Sequence, residues 1–294
     1  FFRNPARFYL NQRLGIYFPA EDEALAETEP FSLDPLTRYH ITDTALQTLI
    51  DGESVEHWRQ QISASGALMP GAMGEQVLNQ QLSRAQRVHE ALDLAPMHSL
   101  QAHLTLQIAL ESNTAIAPGN HTELTLTING TIEHLQGATV LHYRAATQRR
   151  RQTLNAWIEH LFLNALDQGP YASRLISLGP NNNVVEYRLV ALAPALAKQH
   201  LTTLVQLYIL GLRQPLCFLP ELSGIWYETS QAGKTPAECL DKITESWQTD
   251  RPGSERLDPA FKRLFDFPAD ANDDFATYAN SVYGPLLECL EKRS

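Results

Sequence analysis

Cysteine is scarce in this chain: Cys217, Cys239 and Cys289 are the only three, odd in number and far apart. None stands in a CxxC pair or at Cys/His ligand spacing. A structural zinc or iron–sulfur site is therefore not expected, and reduced core thiols of a cytoplasmic protein are. No apolar run approaches the ~18–20 residues of a membrane-crossing helix, so no membrane partner is expected. A basic excess is missing too. Against 33 Asp and Glu stand 23 Lys and Arg, a formal net charge of -10. A free-standing nucleic-acid binder draws much of its affinity from phosphate contacts and is normally basic. Any such contacts here must be local, and the main partners are expected to be proteins. Nucleotide and hydrolase signatures are also absent. Gly233-Lys234-Thr235 ends like a phosphate-binding loop, but position 228 is Glu where that loop needs glycine. No HExxH pair or GxSxG elbow occurs, and the ten histidines are scattered.

What is present is a chain of 294 residues, 44% hydrophobic. That is enough for one large globular domain, which can bury its own core without a staple. It opens at Phe1-Phe2-Arg3 with no methionine, which we read as a fragment cut near a domain boundary. Asn4-Pro5 starts a helix that ends at Gly15, and an acidic loop, Glu21 to Glu29, follows. Asp34-Pro35 and Thr42-Asp43 are further helix starts, with helices predicted over 35–51 and 53–63. Gly66, Pro70, Gly71 and Gly74 mark a loop, and helical spacing returns over 75–94.

The period then changes. Leu124, Leu126 and Ile128 alternate with Glu123, Thr125 and Thr127, a half-buried strand. Asn129-Gly130 reads as a turn or bulge, and Thr131–Leu135 and Ala138–Arg144 as two short strands. Leu154, Trp157, Ile158, Leu161, Phe162 and Ala165 then trace one helical face. A strand over Val184–Leu192, a helix over Pro194–Gly211, and helix starts at Thr235-Pro236 and Asp258-Pro259 complete the pattern. Aromatic-rich stretches, Tyr208 to Phe218 and Phe261 to Phe267, are expected in the core. The fold class is α/β, a small mixed sheet flanked by helices with helical additions at both ends. The lead-in spans about 1–100, the core about 101–215 and the C-terminal part about 216–294 of a single domain.

Glu133, then a strand carrying His142-Tyr143-Arg144, then a long helix, has the layout of metal-dependent nucleases of the PD-(D/E)XK class. Those enzymes place one acid after a strand, and a second acid and a lysine two apart on the next. Residues i and i+2 of a strand share a face, so the groups converge on one Mg²⁺, which takes oxygen ligands. Here His142 stands at the second acid position and Arg144 at the lysine position, leaving only Glu133 as a ligand. An arginine fixes positive charge where the cation would sit. Retained nuclease chemistry is not expected, and no metal is assigned. An active nuclease with migrated ligands would need two of Glu111, Glu123 and Glu133 close together. Beside this site, Gln148-Arg149-Arg150-Arg151 opens the long helix and reads either as a solvated helix end or, since it opposes the helix dipole, as a contact for a DNA backbone or an acidic partner surface.

Phe1-Phe2-Arg3-Asn4-Pro5-Ala6-Arg7-Phe8-Tyr9-Leu10 with Arg13-Leu14-Gly15-Ile16 resembles the opening helix of RecB- and AddB-type nuclease domains, and more closely that of the RecC family. Glu29-Pro30-Phe31-Ser32-Leu33-Asp34 with Arg38-Tyr39 resembles the next RecC stretch. The same holds for the loop from Gly66 through Leu68, Pro70 and Gly71 to Gly74, and for Phe275 to Leu287. The resemblance implies a nuclease-like fold that has lost its active site, within exodeoxyribonuclease V, the RecBCD helicase–nuclease. RecB and RecD subunits and forked or double-stranded DNA ends are the implied partners. ATP and Mg²⁺ then belong to the partner subunits, with no cofactor in this domain. A protein-interaction scaffold without DNA contact is the remaining reading.

Overall fold

The computed structural model describes residues 1–18, 33–69, 71–93, 95–111, 121–249, 254–268 and 271–293. The acidic loop from Glu21, the stretch Glu29 to Ser32, and Pro70 lie outside the described residues. Helix α1 (Pro5–Leu14) starts where Asn4 accepts from Arg7 N, and it ends at Gly15 in the left-handed conformation. Asp34 caps α2 (Pro35–Ile50) and Ser54 caps α3 (Val55–Ala64). Thr42-Asp43, expected as a helix start, lies inside α2. The Thr42 hydroxyl is 2.7 Å from Arg38 O and 3.0 Å from Gln81 Oε1, bonding back one turn instead of capping. Helix α4 (Ala72–Ala91) begins within the expected glycine loop. Gly74 is its third residue, where the Met69 carbonyl leaves no room for a Cβ.

Two long strands follow, β1 (His98–Glu111) and β2 (His121–Gln136), then β3 (Thr139–Thr147) and helix α5 (Arg150–Ala165). Next come β4 (Ala172–Leu178), β5 (Val184–Leu189), α6 (Pro194–Arg213), α7 (Pro220–Gln231) and α8 (Pro236–Trp247). Thr235 and Glu238 form a reciprocal capping box at α8, as the sequence predicts. A 3-10 turn (Glu255–Leu257), α9 (Pro259–Leu264), α10 (Asp273–Cys289) and β6 (Leu290–Arg293) complete the described chain.

The six strands form one sheet in chain order, antiparallel except where β4 runs parallel to β3. Helix α5 is the crossover that this parallel pair requires. The expected turn at Asn129-Gly130 does not occur. Both residues lie within β2, paired with His103 and Ala102. Gly130 serves a packing need: a Cβ there would stand 3.2 Å from the Phe162 ring of α5. Strands β1, β4 and β6 have no counterpart in the sequence reading. β4 is central and buried on both faces, so it shows no alternation. β6 is four residues, Leu-Glu-Lys-Arg, with no strand signature of its own. It brings the C-terminal part into the sheet, while α1 packs among α7 and α9 in a separate apolar cluster.

Three layers result. Helices α2, α3 and α4 cover one face of β3–β5 through Trp58, Leu82, Val88, Ile176 and Leu178. Helices α5, α6 and α10 cover the other through Trp157, Leu161, Leu204, Val282 and Leu189. Ten of the sixteen residues of α5 are buried, which makes it the central helix. Phe218 and Phe261 are buried, as the aromatic stretches predict.

A polar network pins α5 to the strands beneath it. His160, fully buried, bonds Ser173 Oγ at 3.0 Å and Val190 O at 2.9 Å. Asn164 donates to Tyr171 O and accepts from the N–H groups of Tyr171 and Leu192. Burial pushes the His160 imidazole down to about 4, with the Val190 carbonyl pulling the other way. The unfolded chain then takes up a proton near pH 6.5 that the folded chain refuses until about pH 4. Stability that is complete above the unfolded value is therefore lost as pH falls through this window. His160 is expected to contribute a slope of about 1.4 kcal/mol per pH unit. Urea denaturation of the wild type and of His160→Gln between pH 4.5 and 6.5 checks this. Equal slopes in the two proteins would contradict it.

Candidate functional site

The site grows from two irregularities in adjacent strands. Leu100 pairs with Ile132 but His98 with Leu135, so β2 carries one residue more than β1 there. His134 takes up the bulge with φ 56°, and Glu133 stands exposed beside it. On β3, Tyr143 pairs with Ile176 but Thr147 with Leu178. Four steps along β3 thus oppose two along β4, and Arg144 lies in the bulge.

This bulge breaks the expected convergence of His142 and Arg144. His142 Nδ1 lies 3.9 Å from Glu159 Oε2 of α5. Arg144 instead reaches α2, its guanidinium 5.4 Å from the centroid of the Tyr39 ring. The two side chains contact helices on opposite faces of the sheet, because a bulge interrupts the two-residue period. Burial, with His160 and His134 adding to it, lowers the His142 imidazole to about 4. It is neutral at pH 7, so its contact with Glu159 is no ion pair. Glu159 was missing from the sequence reading. Burial and Glu133 push its carboxyl up, with Arg3 working against them. Its helix position hid it, since a strand-based motif does not look on α5.

These residues do not fit a divalent cation. Among the described residues no group of three His, Cys, Asp or Glu side chains is placed to hold a metal ion. Nor do the three alternative carboxylate positions gather. Glu123 and Glu133 lie on one continuous strand, ten residues apart, which at ~3.3 Å per residue is about 33 Å. Glu111 pairs through its backbone with His121, at the far end of the β1–β2 ribbon from Glu133.

The arginine run is largely engaged within the chain. Arg149 is the N-cap residue of α5 and is exposed. Arg150 forms a two-pronged pair with Glu228 of α7, at 3.2 and 2.5 Å. Its stem lies against Gly224, where any Cβ would collide with it. Arg151 Nε is 3.6 Å from Glu221 Oε1. Glu221 also faces the first backbone N–H groups of α5, those of Arg150 and Arg151, at 3.4 Å each. It thereby supplies the negative charge that a helix N-terminus favours and that three arginines oppose.

Glu221 is held in turn. Buried Glu255 accepts from Glu221 N at 2.9 Å and Leu222 N at 3.1 Å, capping α7. Burial pushes the Glu255 carboxyl up to about 8, against the pull of those two N–H groups. Tyr283 of α10 donates to Pro220 O at 2.6 Å and fixes the same turn.

The fold and site define a mixed-sheet α/β domain whose strand-end site is cationic and aromatic where a metal enzyme would be carboxylate-rich. The model of the RecC C-terminal domain family matches residues 1–231, and the chain belongs to that family. Among curated proteins it is 28% identical over 244 residues to the RecBCD enzyme subunit RecC of Escherichia coli (strain K12), covering 83% of this chain and 20% of that one. It is 23% identical over 242 residues to the RecBCD enzyme subunit RecC of Buchnera aphidicola subsp. Schizaphis graminum (strain Sg), covering 82% and 21%. With the subunit of the same name from Haemophilus influenzae (strain ATCC 51907 / DSM 11121 / KW20 / Rd) it shares 22% over 255 residues, covering 84% and 21%. The chain spans about a fifth of the length of these relatives.

The cap geometry separates structural from surface arginines. Glu255→Ala orphans two buried N–H groups and is expected to cost about 2–4 kcal/mol. Arg149→Ala, at an exposed position, is expected to stay within about 0.5 kcal/mol. Urea denaturation of both variants at pH 7 measures the difference.

Proposed function

We propose that this chain is a nuclease-like, non-catalytic domain of a RecC-type subunit. It serves subunit assembly and the handling of forked DNA in double-strand break repair and homologous recombination. The observation that carries the reading is the replacement of cation ligands on β3: a neutral imidazole and a guanidinium stand where a metal-dependent nuclease needs a carboxylate and a lysine. A PD-(D/E)XK-like core is supported by the element order. Three strands run antiparallel, a helix crosses over, and the fourth strand lies parallel to the third. The relatives are named as subunits of the RecBCD enzyme. The partners proposed for this chain are accordingly RecB- and RecD-type subunits in the cytoplasm. ATP and Mg²⁺ chemistry belongs to those partners.

The purified chain is expected to leave supercoiled plasmid intact in Mg²⁺. Robust nicking that disappears on Glu133→Ala would overturn the non-catalytic reading. For the DNA role, Arg149 is the clean probe, because Arg150 and Arg151 also hold α5 and α7 together. Arg149→Glu in the assembled complex is expected to weaken forked-DNA binding several-fold, measured by fluorescence anisotropy. Unchanged binding would favour a protein scaffold without DNA contact.

A further inference from the structure

A cleft of about 520 Å³ opens between α2 and the start of α5, beside the β3 bulge. Five guanidiniums line it: Arg38, Arg84, Arg144, Arg149 and Arg151. They converge from α2, α4, β3 and the start of α5, so the basic run at Arg149 to Arg151 announces only part of the cluster. Arg151 has its partner in Glu221. Among the described residues, no carboxylate lies within ion-pair distance of Arg38, Arg84, Arg144 or Arg149. Asp43 and Glu221 both favour the charged form of Arg144, and Glu221 already serves Arg150 and Arg151. Arg84 Nε and both Nε and Nη1 of Arg144 are buried without a hydrogen-bond acceptor among the described residues.

Like charges crowded into a half-buried site are costly unless an anion joins them. Burial, then Arg38, lowers the affinity of Arg84 for its proton, and burial does the same to Arg144, with Tyr39 opposing it and Arg149 adding to it. A chain of net charge -10 gathers in one cleft four guanidiniums that have no carboxylate partner among the described residues.

We propose that this cleft binds the phosphate backbone of a DNA strand, one nucleotide unit seated in it. The proposal rests on the DNA-handling reading above and gives that reading its contact point. A single carboxylate engages one guanidinium fork, whereas four forks without a carboxylate partner among the described residues, Arg38 donating to Leu33 O and Arg84 to Gln81 Oε1, suit the several oxygens of a nucleotide's phosphate groups. The volume lies in the range of small-molecule sites. The rim adds the Tyr39 ring and the largely exposed Leu36, surfaces on which a base or sugar can lie.

The test uses this chain and a fluorescein-labelled twelve-residue oligothymidylate in an anisotropy titration. Arg38→Gln with Arg149→Gln changes only exposed residues and leaves the fold's ion pairs intact. Arg84→Gln with Arg144→Gln probes the buried half. Each pair is expected to raise Kd about tenfold or more and to lower the slope of log affinity against log salt by about 1.4. Lys198→Gln with Arg213→Gln, an equal charge loss on α6 away from the cleft, is expected to change Kd less than about twofold. Equal losses from the control pair and the cleft pairs would overturn the proposal, since general charge would then explain the binding. A polyglutamate peptide that binds the cleft while the oligonucleotide does not would overturn it in favour of an acidic protein partner. If the cleft pairs lose oligonucleotide binding but the assembled complex handles forked DNA normally, the cleft assignment stands and the wider DNA role falls.

Discussion

The N-terminus of α5 is the point on which the rest of the molecule depends. That helix is the crossover between the two parallel strands, and most of it is buried. Its first turn carries arginines, which its own dipole opposes. A relay of glutamates resolves the conflict. Glu255 caps α7, α7 presents Glu221, and Glu221 faces the first N–H groups of α5 and the arginines beside them. Tyr283 holds the same turn from α10. The C-terminal helices are thereby coupled to the sheet by directed polar contacts as well as by apolar packing.

The same arrangement decides which arginines are available to a ligand. Arg150 and Arg151 are turned inward to α7, and their charge is spent on Glu228 and Glu221. Arg149 and Arg144 are left facing α2, across a cleft that also receives Arg38 and Arg84. Basic side chains gather here in place of the acidic ones that a metal site would need. In a low-dielectric setting such a change reverses the charge of the ligand that fits, from a cation to an anion.

The two bulges matter as much as the residue types. Without the β3 bulge, Arg144 would lie on the same face as His142, near Glu159. With it, Arg144 stacks on Tyr39 and faces the cleft. At the β2 bulge, His134 takes a positive φ and its ring packs on Tyr143 at 5.1 Å. A motif read by counting residues along a strand fails wherever the strand gains one.

Local chemistry was legible in the sequence. The caps at Asn4, Asp34, Thr235 and Asp258, the apolar face of α5 and the alternation in β2 all follow from side chains within a few residues of one another. The family was legible too, through short segments in a fixed order. Tertiary structure alone decided that Asn129-Gly130 continues a strand, because Phe162 from a distant helix fills the space. It alone recruited β6 to the sheet, since pairing with β5 supplies bonds that four charged and apolar residues do not advertise. It alone sorted three neighbouring arginines into two structural pairs and one exposed group. Charge pairing and burial act through space at distances of a few ångströms. Glu221, Glu228 and Glu255 lie 70 to 106 positions down the chain from those arginines, beyond the reach of any local pattern.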